Sequence, residues 1–366
     1  MKLVVATPLY PPEVGGPATY AKLLEEGLPG KGIEVEVVKF SEVRHLPKLI
    51  RHYAYYRRVL RAARAADTVL ALDPVSTGLP AMWAARKAGK PFLVKVVGDY
   101  AWEQGRQRFG VTQALDEFVK TSAVPPPVRL LRNIQARVAR SATRIIVPSE
   151  YLKDVVATWG IPRENIEVVY NAVSIEAVGI VPEAVARLPR PLVVTAGRLV
   201  PWKNIDGVID AVANTSGVSL VVAGDGPGRS ALTRRADEKL SGRVVFTGEL
   251  THEDTLATVK FADVFVLNSS YEGLSHLLIE AQSLGVPTIA TRVGGNPEVI
   301  TSEEDGLLVP VGDTPELTSV VVRLLSDSAL ASSLSKRAHE SAKRFSVDTM
   351  LAHTAGVLQK LGHPMS

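Results

Sequence analysis

Twelve short apolar runs, rich in β-branched residues and separated by stretches of helical length, constrain this chain more than anything else in it. The first six lie at 2–6, 33–39, 67–72, 92–97, 143–147 and 166–169. The second six lie at 191–196, 218–223, 243–247, 263–267, 286–291 and 306–309. Runs this short and this continuously apolar read as strands buried on both faces, and strands alternating with helices imply parallel sheets covered by helices on each side. The 366 residues suggest about two domains at the usual ~150 residues each. Between the two series, 174–190 lacks periodicity and carries Pro182 and Pro189, with Pro191 just beyond, so it reads as a linker. The expected division is 1–180, 181–345, and a C-terminal helical segment 346–366, with a helix from about Val347 to Leu361 packing back on the first domain.

Composition narrows the chemistry. There is no cysteine, which excludes disulfides, thiolate nucleophiles and Cys-ligated metal centres and is compatible with a reducing cytoplasm. Lys2 is followed by too short an apolar stretch for a signal peptide, and no window approaches 18 uninterrupted apolar residues. A cytoplasmic location, with peripheral contact to the inner face of a membrane, is therefore the expectation. The net charge of +4 conceals an asymmetry: 25 basic and 18 acidic residues through residue 185, then 17 basic and 20 acidic. Between Glu42 and Asp67 there is no acid, but there are seven bases, Arg44, Lys48, Arg51, Arg57, Arg58, Arg61 and Arg64, with Tyr53, Tyr55 and Tyr56 among them. Residues 44–64 read either as a solvated basic helix or as an interfacial helix for anionic lipid or an anionic acceptor. No nucleic-acid motif accompanies them.

Four loops carry the candidate chemistry. Gly15-Gly16 lies between the first strand and a helix that Pro17 opens, where backbone N–H groups and the helix dipole favour an anion; a tight turn is the alternative. Arg198 and Lys203 share the loop after the first strand of the second series, at the strand end where open α/β sheets bind ligands, and two cations there suit a diphosphate. Gly224-Asp225-Gly226-Pro227-Gly228 has the wrong spacing for a dinucleotide fingerprint and reads as a packing turn. In Ser269–Ala281, Glu272 and Gly273 occupy a turn, a helix is expected from near Leu274, and the backbone of Gly273, Leu274 and Ser275 suits a phosphate. Glu280 sits two turns along that helix among apolar neighbours, where an acid requires a partner. Carboxylates suit sugar and ribose hydroxyls because they only accept.

With these motifs together, the chain resembles the large family of retaining glycosyltransferases of two-Rossmann GT-B architecture, the family often numbered four. The resemblance covers nearly the whole chain. It rests on GGPATY at 15–20, GRLVPWKN at 197–204, GDGP at 224–227, FTGEL at 246–250, the Glu272/Glu280 pair, GGNPEVI at 294–300 and DGLLVPVGD at 305–313. It implies that the second half binds a nucleotide-diphosphate sugar and the first half an acceptor, a glycan or lipid-linked sugar. Gly15 and Gly16 would approach the donor phosphate. Arg198 and Lys203 would neutralise the diphosphate, Glu272 with Gly273–Ser275 would hold sugar and phosphate, Glu280 the ribose, and Gly248 to Leu250 the base. No metal and no further cofactor are implied.

One departure stands out. Many relatives have a histidine just after the fourth strand of the first half; here Gly98-Asp99-Tyr100 follows FLVKVV. Asp99 is either a substitute polar contact, counted among the catalytic candidates with Arg198, Lys203 and Glu272, or a helix cap. The stretch from Trp102 to Val128 reads as an acceptor-side insertion or a surface excursion. A nucleotide-sugar epimerase or hydrolase, or a non-catalytic sugar-nucleotide binder, are the alternative functions on this fold.

Overall fold

The computed structural model describes residues 1–13, 15–175 and 177–361. All twelve expected strands are present. The first six are β1 (Lys2–Thr7), β2 (Glu34–Lys39), β3 (Thr68–Ala71), β4 (Phe92–Lys95), β5 (Arg144–Val147) and β6 (Ile166–Val168). They form one sheet in the order β2-β1-β3-β4-β5-β6, with every pairing parallel, as in Leu3 opposite both Val35 and Thr68. The second six are β7 (Leu192–Ala196), β8 (Ser219–Ala223), β9 (Val244–Gly248), β10 (Val264–Leu267), β11 (Thr288–Thr291) and β12 (Leu307–Val309). They form a second parallel sheet in the order β12-β11-β10-β7-β8-β9. The fold is α/β with two Rossmann-like layered units.

The chain divides into one unit of residues 1–171 and 347–366 and another of residues 172–346. The junction thus falls earlier than residue 180. The proline-bearing segment after it belongs to the second unit: Gly179 N–H donates to the Glu253 carbonyl at 2.9 Å, Ile180 N–H to Asp254 Oδ1 at 2.9 Å, and Val185 is fully buried.

In the first unit, helix α1 (Gly16–Gly27) starts from Gly15, whose φ of +150° only glycine adopts readily, and Pro17 sits in its first turn. Tyr20, Ala21 and Leu24 form its buried face. The terminal helix Val347–Gln359 packs on α1. Gly27 makes this possible, since a Cβ there would stand 2.2 Å from Leu351 Cδ1, and the Tyr20 hydroxyl meets Thr354 Oγ1 at 3.2 Å. Helix α2 (Lys48–Arg64) buries Tyr55, Val59, Ala62 and Ala63 and exposes Ile50, Tyr53, Arg57, Arg61 and Arg64. The stretch from Trp102 to Val128 is built rather than loose: Trp102, Leu115 and Phe118 are buried, and the Trp102 indole N–H donates to the Gln113 carbonyl at 2.9 Å.

The core of the second unit is the two-sided burial of its sheet, with Val193, Leu220, Val222, Val266 and Ile289 all 0% exposed. Such continuous apolar strands need helices on both faces, and the helices supply Val208, Leu317 and Val321 to one of them. Among the described residues no single helix is long and apolar enough to cross a membrane.

Candidate functional site

Strand order decides where the second unit can bind. From β7 the chain proceeds outward through β8 and β9 on one side, then returns to β10 on the other side of β7. The crevice outside the carboxyl ends of β7 and β10 is the switch point, where open α/β sheets hold ligands. The two loops leaving those ends are the ones carrying Arg198/Lys203 and Glu272.

Hydrogen bonds to backbone carbonyls join these loops. Ser270 N–H donates to the Trp202 carbonyl at 2.7 Å, and the Asn268 amide to the Asn204 carbonyl at 3.0 Å. Lys203 Nζ then donates to Glu272 Oε1 at 2.5 Å, and the Ser269 hydroxyl donates to the same oxygen at 2.6 Å. The Lys203 and Glu272 side chains retain 17% and 12% of their accessibility, so the pair is largely withdrawn from water. Gly197, at φ +135°, lies under the lysine: a Cβ there would sit 3.7 Å from Lys203 Cε. Arg198 is exposed.

Glycines let three loops stack behind this pair. A Cβ on Gly294 would stand 1.9 Å from the Glu272 carbonyl oxygen, and one on Gly295 would stand 2.3 Å from that of Gly273. Gly295 N–H donates to the Glu272 carbonyl at 3.0 Å. The Gly224–Gly228 turn does the same for the β7 loop, since a Cβ on Gly224 would lie 2.2 Å from the Gly197 oxygen and one on Gly226 2.6 Å from that of Leu199. It is a packing turn, as its sequence suggests.

The helix after Glu272 starts later than expected, at His276, and runs to Ser283; Ser275 is its cap, its hydroxyl accepting from Leu278 N–H at 3.3 Å. Gly273 and Leu274 lie buried in the turn before it. Glu280 is 5% exposed, and burial pushes its carboxyl above the ordinary value while the charge of His252 opposes the shift. His252 Nε2 lies 3.4 Å from Glu280 Oε1. His252 opens the helix His252–Lys260, two residues past Leu250 and just beyond the Thr251 cap. Gly248, at φ +74°, ends β9 and its carbonyl accepts from Gly224 N–H at 2.9 Å. Arg198, Lys203, Gly248, Leu250, Glu272–Ser275 and Glu280 thus all belong to the second unit.

The family models match in two pieces. The model described as glycosyl transferases group 1 matches residues 181–341, and that described as glycosyl transferase 4-like domain matches 4–172. Each unit thus belongs, over its matched residues, to a glycosyl transferase family. Among curated relatives, the lipopolysaccharide core biosynthesis glycosyltransferase LpsE of Rhizobium meliloti is 36% identical over 152 residues, 41% of this chain and 44% of the relative. LpsD of the same organism is 37% identical over 188 residues, 50% of this chain and 54% of the relative. The chain thus spans about half the length of these curated relatives. The crystal structure of Anabaena HepE in complex with UDP superposes with a TM-score of 0.77 at 19% identity, covering 98% of this chain and 100% of that one. Sucrose-phosphate synthase from Thermosynechococcus elongatus gives 0.75 at 20% identity, with 99% of each chain covered. These likenesses show the fold.

The remaining candidate residues, Gly15, Gly16 and Asp99, lie in the first unit. Gly15 and Gly16 open α1, and a Cβ on Gly16 would meet nothing within 4 Å. Asp99 has the capping role: it is 1% exposed and accepts from Trp102 N–H at 2.9 Å at the start of the helix Tyr100–Arg108. Burial raises its carboxyl, and the hydrogen bond from Trp102 opposes that. Two site residues escaped the sequence reading, Ser269 beside Glu272 and His252 beside Glu280. Ser269 precedes the Glu272 turn by three residues, a spacing that suits a local side-chain contact. His252 carried no sequence signal, because its contact with Glu280 exists only across two helices.

Proposed function

We propose that the protein transfers a sugar from a nucleoside-diphosphate sugar to a hydroxyl acceptor, with retention of anomeric configuration and without a metal. The observation that carries this reading is the meeting, at the β7/β10 switch point, of a basic loop bearing Arg198 and Lys203 with the carboxylate of Glu272. Breaking the bond between the anomeric carbon and the diphosphate oxygen leaves an oxocarbenium-like sugar and extra negative charge on the diphosphate. Arg198 and Lys203 stabilise that charge, and Glu272, held by Lys203 and Ser269, lies where sugar hydroxyls are bound. Preorganised charge of this kind acts without reorganisation during the reaction. Glu280 takes the ribose hydroxyls, and Gly248 to Leu250 the base. In a front-face route to retention, the acceptor oxygen attacks from the side the diphosphate leaves, and its proton passes to the leaving phosphate.

The first unit takes the acceptor. Relatives named for lipopolysaccharide core biosynthesis favour a glycan or lipid-linked sugar, and the UDP bound by the Anabaena neighbour and the GDP-mannose in other relatives' names favour a nucleoside-diphosphate hexose donor. A panel of UDP, GDP and ADP sugars, read by thermal shift and by slow donor hydrolysis, tests the reading. One donor is expected to raise Tm by mass action. Absence of a shift with every nucleoside diphosphate would overturn it.

The α2 face extends this proposal to a lipid surface. Arg44 and Arg58 are neutralised by Glu13 and Glu42, and Arg51 lies over the Phe40 ring at 5.8 Å. Arg57, Arg61 and Arg64 remain exposed in line with Ile50 (55%) and Tyr53 (60%). A stripe of cations continuing from exposed apolar side chains matches an anionic bilayer surface. Co-sedimentation with anionic but not neutral vesicles, lost at high salt, is expected; equal binding to both, or to neither, would refute it.

A further inference from the structure

Glu280 differs from the other acids at the second-unit site. Glu272 accepts from Lys203 and Ser269, and the buried Asp305 accepts from Thr301 N–H at 2.7 Å. The Glu280 carboxylate, in contrast, meets one side chain among the described residues, the imidazole of His252. The two differ sharply in environment: the Glu280 side chain keeps 7% of its accessibility and the His252 side chain 53%. His252 therefore contributes little to the core, yet it reaches inward to an acid that burial would otherwise drive to take up a proton.

A carboxylate has two oxygens, and each accepts along its own lone-pair directions. With His252 Nε2 3.4 Å from Oε1, rotation of the group is restrained and Oε2 is the oxygen left to accept. A protonated carboxyl would lose that acceptor character in part, and an unheld one would rotate about its last torsion. We propose that His252 is a positioning residue for donor binding, fixing the Glu280 carboxylate so that its second oxygen accepts from the ribose hydroxyls of a nucleoside diphosphate. The inference rests on the donor reading above and adds to it the ribose as the part of the donor that His252 controls, through Glu280 rather than by its own contact.

The test is calorimetric titration of the full chain with UDP, GDP and ADP and with their 2′-deoxy counterparts, for wild type, His252→Ala, His252→Gln and Glu280→Gln. In wild type the ribose form that binds is expected to do so about 10–100-fold tighter than its 2′-deoxy form, the range for a hydrogen bond to a charged group. In His252→Ala that ratio falls to about threefold or less while 2′-deoxy affinity stays within about twofold, because only the hydroxyl contact is lost. His252→Gln, which restores an N–H donor on the same helix position, recovers most of the ratio. Glu280→Gln, which keeps only a neutral acceptor, lowers the ratio to about tenfold or less. Equal weakening of both forms in His252→Ala, or an unchanged ratio, would overturn the proposal while leaving the donor reading standing. Failure of wild type to bind any of the three diphosphates would overturn both.

Discussion

Replacing Lys203 with methionine removes the ammonium from a pair that is largely shut away from water and leaves Glu272 with the Ser269 hydroxyl as its remaining donor. Breaking a buried pair from one side costs about 3–5 kcal/mol. Here both side chains keep some accessibility, 17% and 12%, and Ser269 still donates at 2.6 Å. A cost of about 2–3 kcal/mol is therefore expected, below the fully buried range. Glu272→Gln, which keeps an acceptor facing Lys203, is expected to cost about 1–2 kcal/mol. The double variant leaves neither charge uncompensated, so it should cost less than the two single changes together by about 1–2 kcal/mol. Urea unfolding of all four proteins measures the cycle, with the steepness of the transition checked because a two-unit chain need not unfold in one step. Additivity within about 0.5 kcal/mol would refute the pair as a structural link between the β7 and β10 loops. Arg198→Ala separates charge from packing. The side chain is exposed, so stability should move by no more than about 0.5 kcal/mol, while kcat/KM for the donor should fall about 10²–10³-fold, or roughly 3–4 kcal/mol. Near-normal turnover at subsaturating donor in both Arg198→Ala and Lys203→Met would remove these cations from the mechanism.

Gly294→Ala forces a Cβ to within 1.9 Å of the Glu272 carbonyl oxygen at a φ of +52°, and a loss of at least about 1–3 kcal/mol in thermal or urea unfolding is expected; Gly16→Ala, with open space, should stay within about 0.5 kcal/mol. Asp99→Ala should cost about 1 kcal/mol through the lost cap, whereas Asp99→Asn should keep both stability and turnover; a large loss of turnover in a stable Asp99→Asn would return Asp99 to the chemistry. Lys95 is 2% exposed, its Nζ has no hydrogen-bond partner among the described residues and lies 3.9 Å from the centre of the Tyr20 ring, and burial lowers its pKa to about 7. Because the unfolded chain holds that proton more tightly, the destabilisation is fully present below about pH 7 and fades as pH rises towards the unfolded value near 10.4. Lys95→Met is therefore expected to be more stable than wild type at pH 6–7, by on the order of a few kcal/mol, with the advantage shrinking by pH 10; a pH-independent difference would refute this.

The legibility of the chain varied with the range of the interaction involved. Every strand was readable, because a strand buried on both faces must be apolar at consecutive positions, as in LVVTA and VFVL. Lys95 shows the limit of that rule, since a charged residue inside FLVKVV is buried regardless. The start of the helix at His276 was misplaced by two residues because Ser275 caps it through its own hydroxyl, while Leu274 has the apolar character of a helix interior. The linker reading failed for 174–190 because prolines mark irregular backbone but do not say which unit it packs against; the hydrogen bonds from Gly179 and Ile180 decide that.

Local sequence determined the alternation of strands and helices, the family pattern, and the charged candidates: Arg198, Lys203 and Glu272 in loops and Glu280 within a helix. Those properties depend on neighbours a few positions away. Which of these residues meet was decided by tertiary structure. The placement of β10 beside β7 brings Lys203 to Glu272 across 69 positions of chain. The crossover from β9 at the sheet edge back to β10 brings the helix that starts at His252 against the helix that carries Glu280. Strand order is set by burying the most apolar strands at the centre, a property of the whole unit, and no short stretch of sequence contains it.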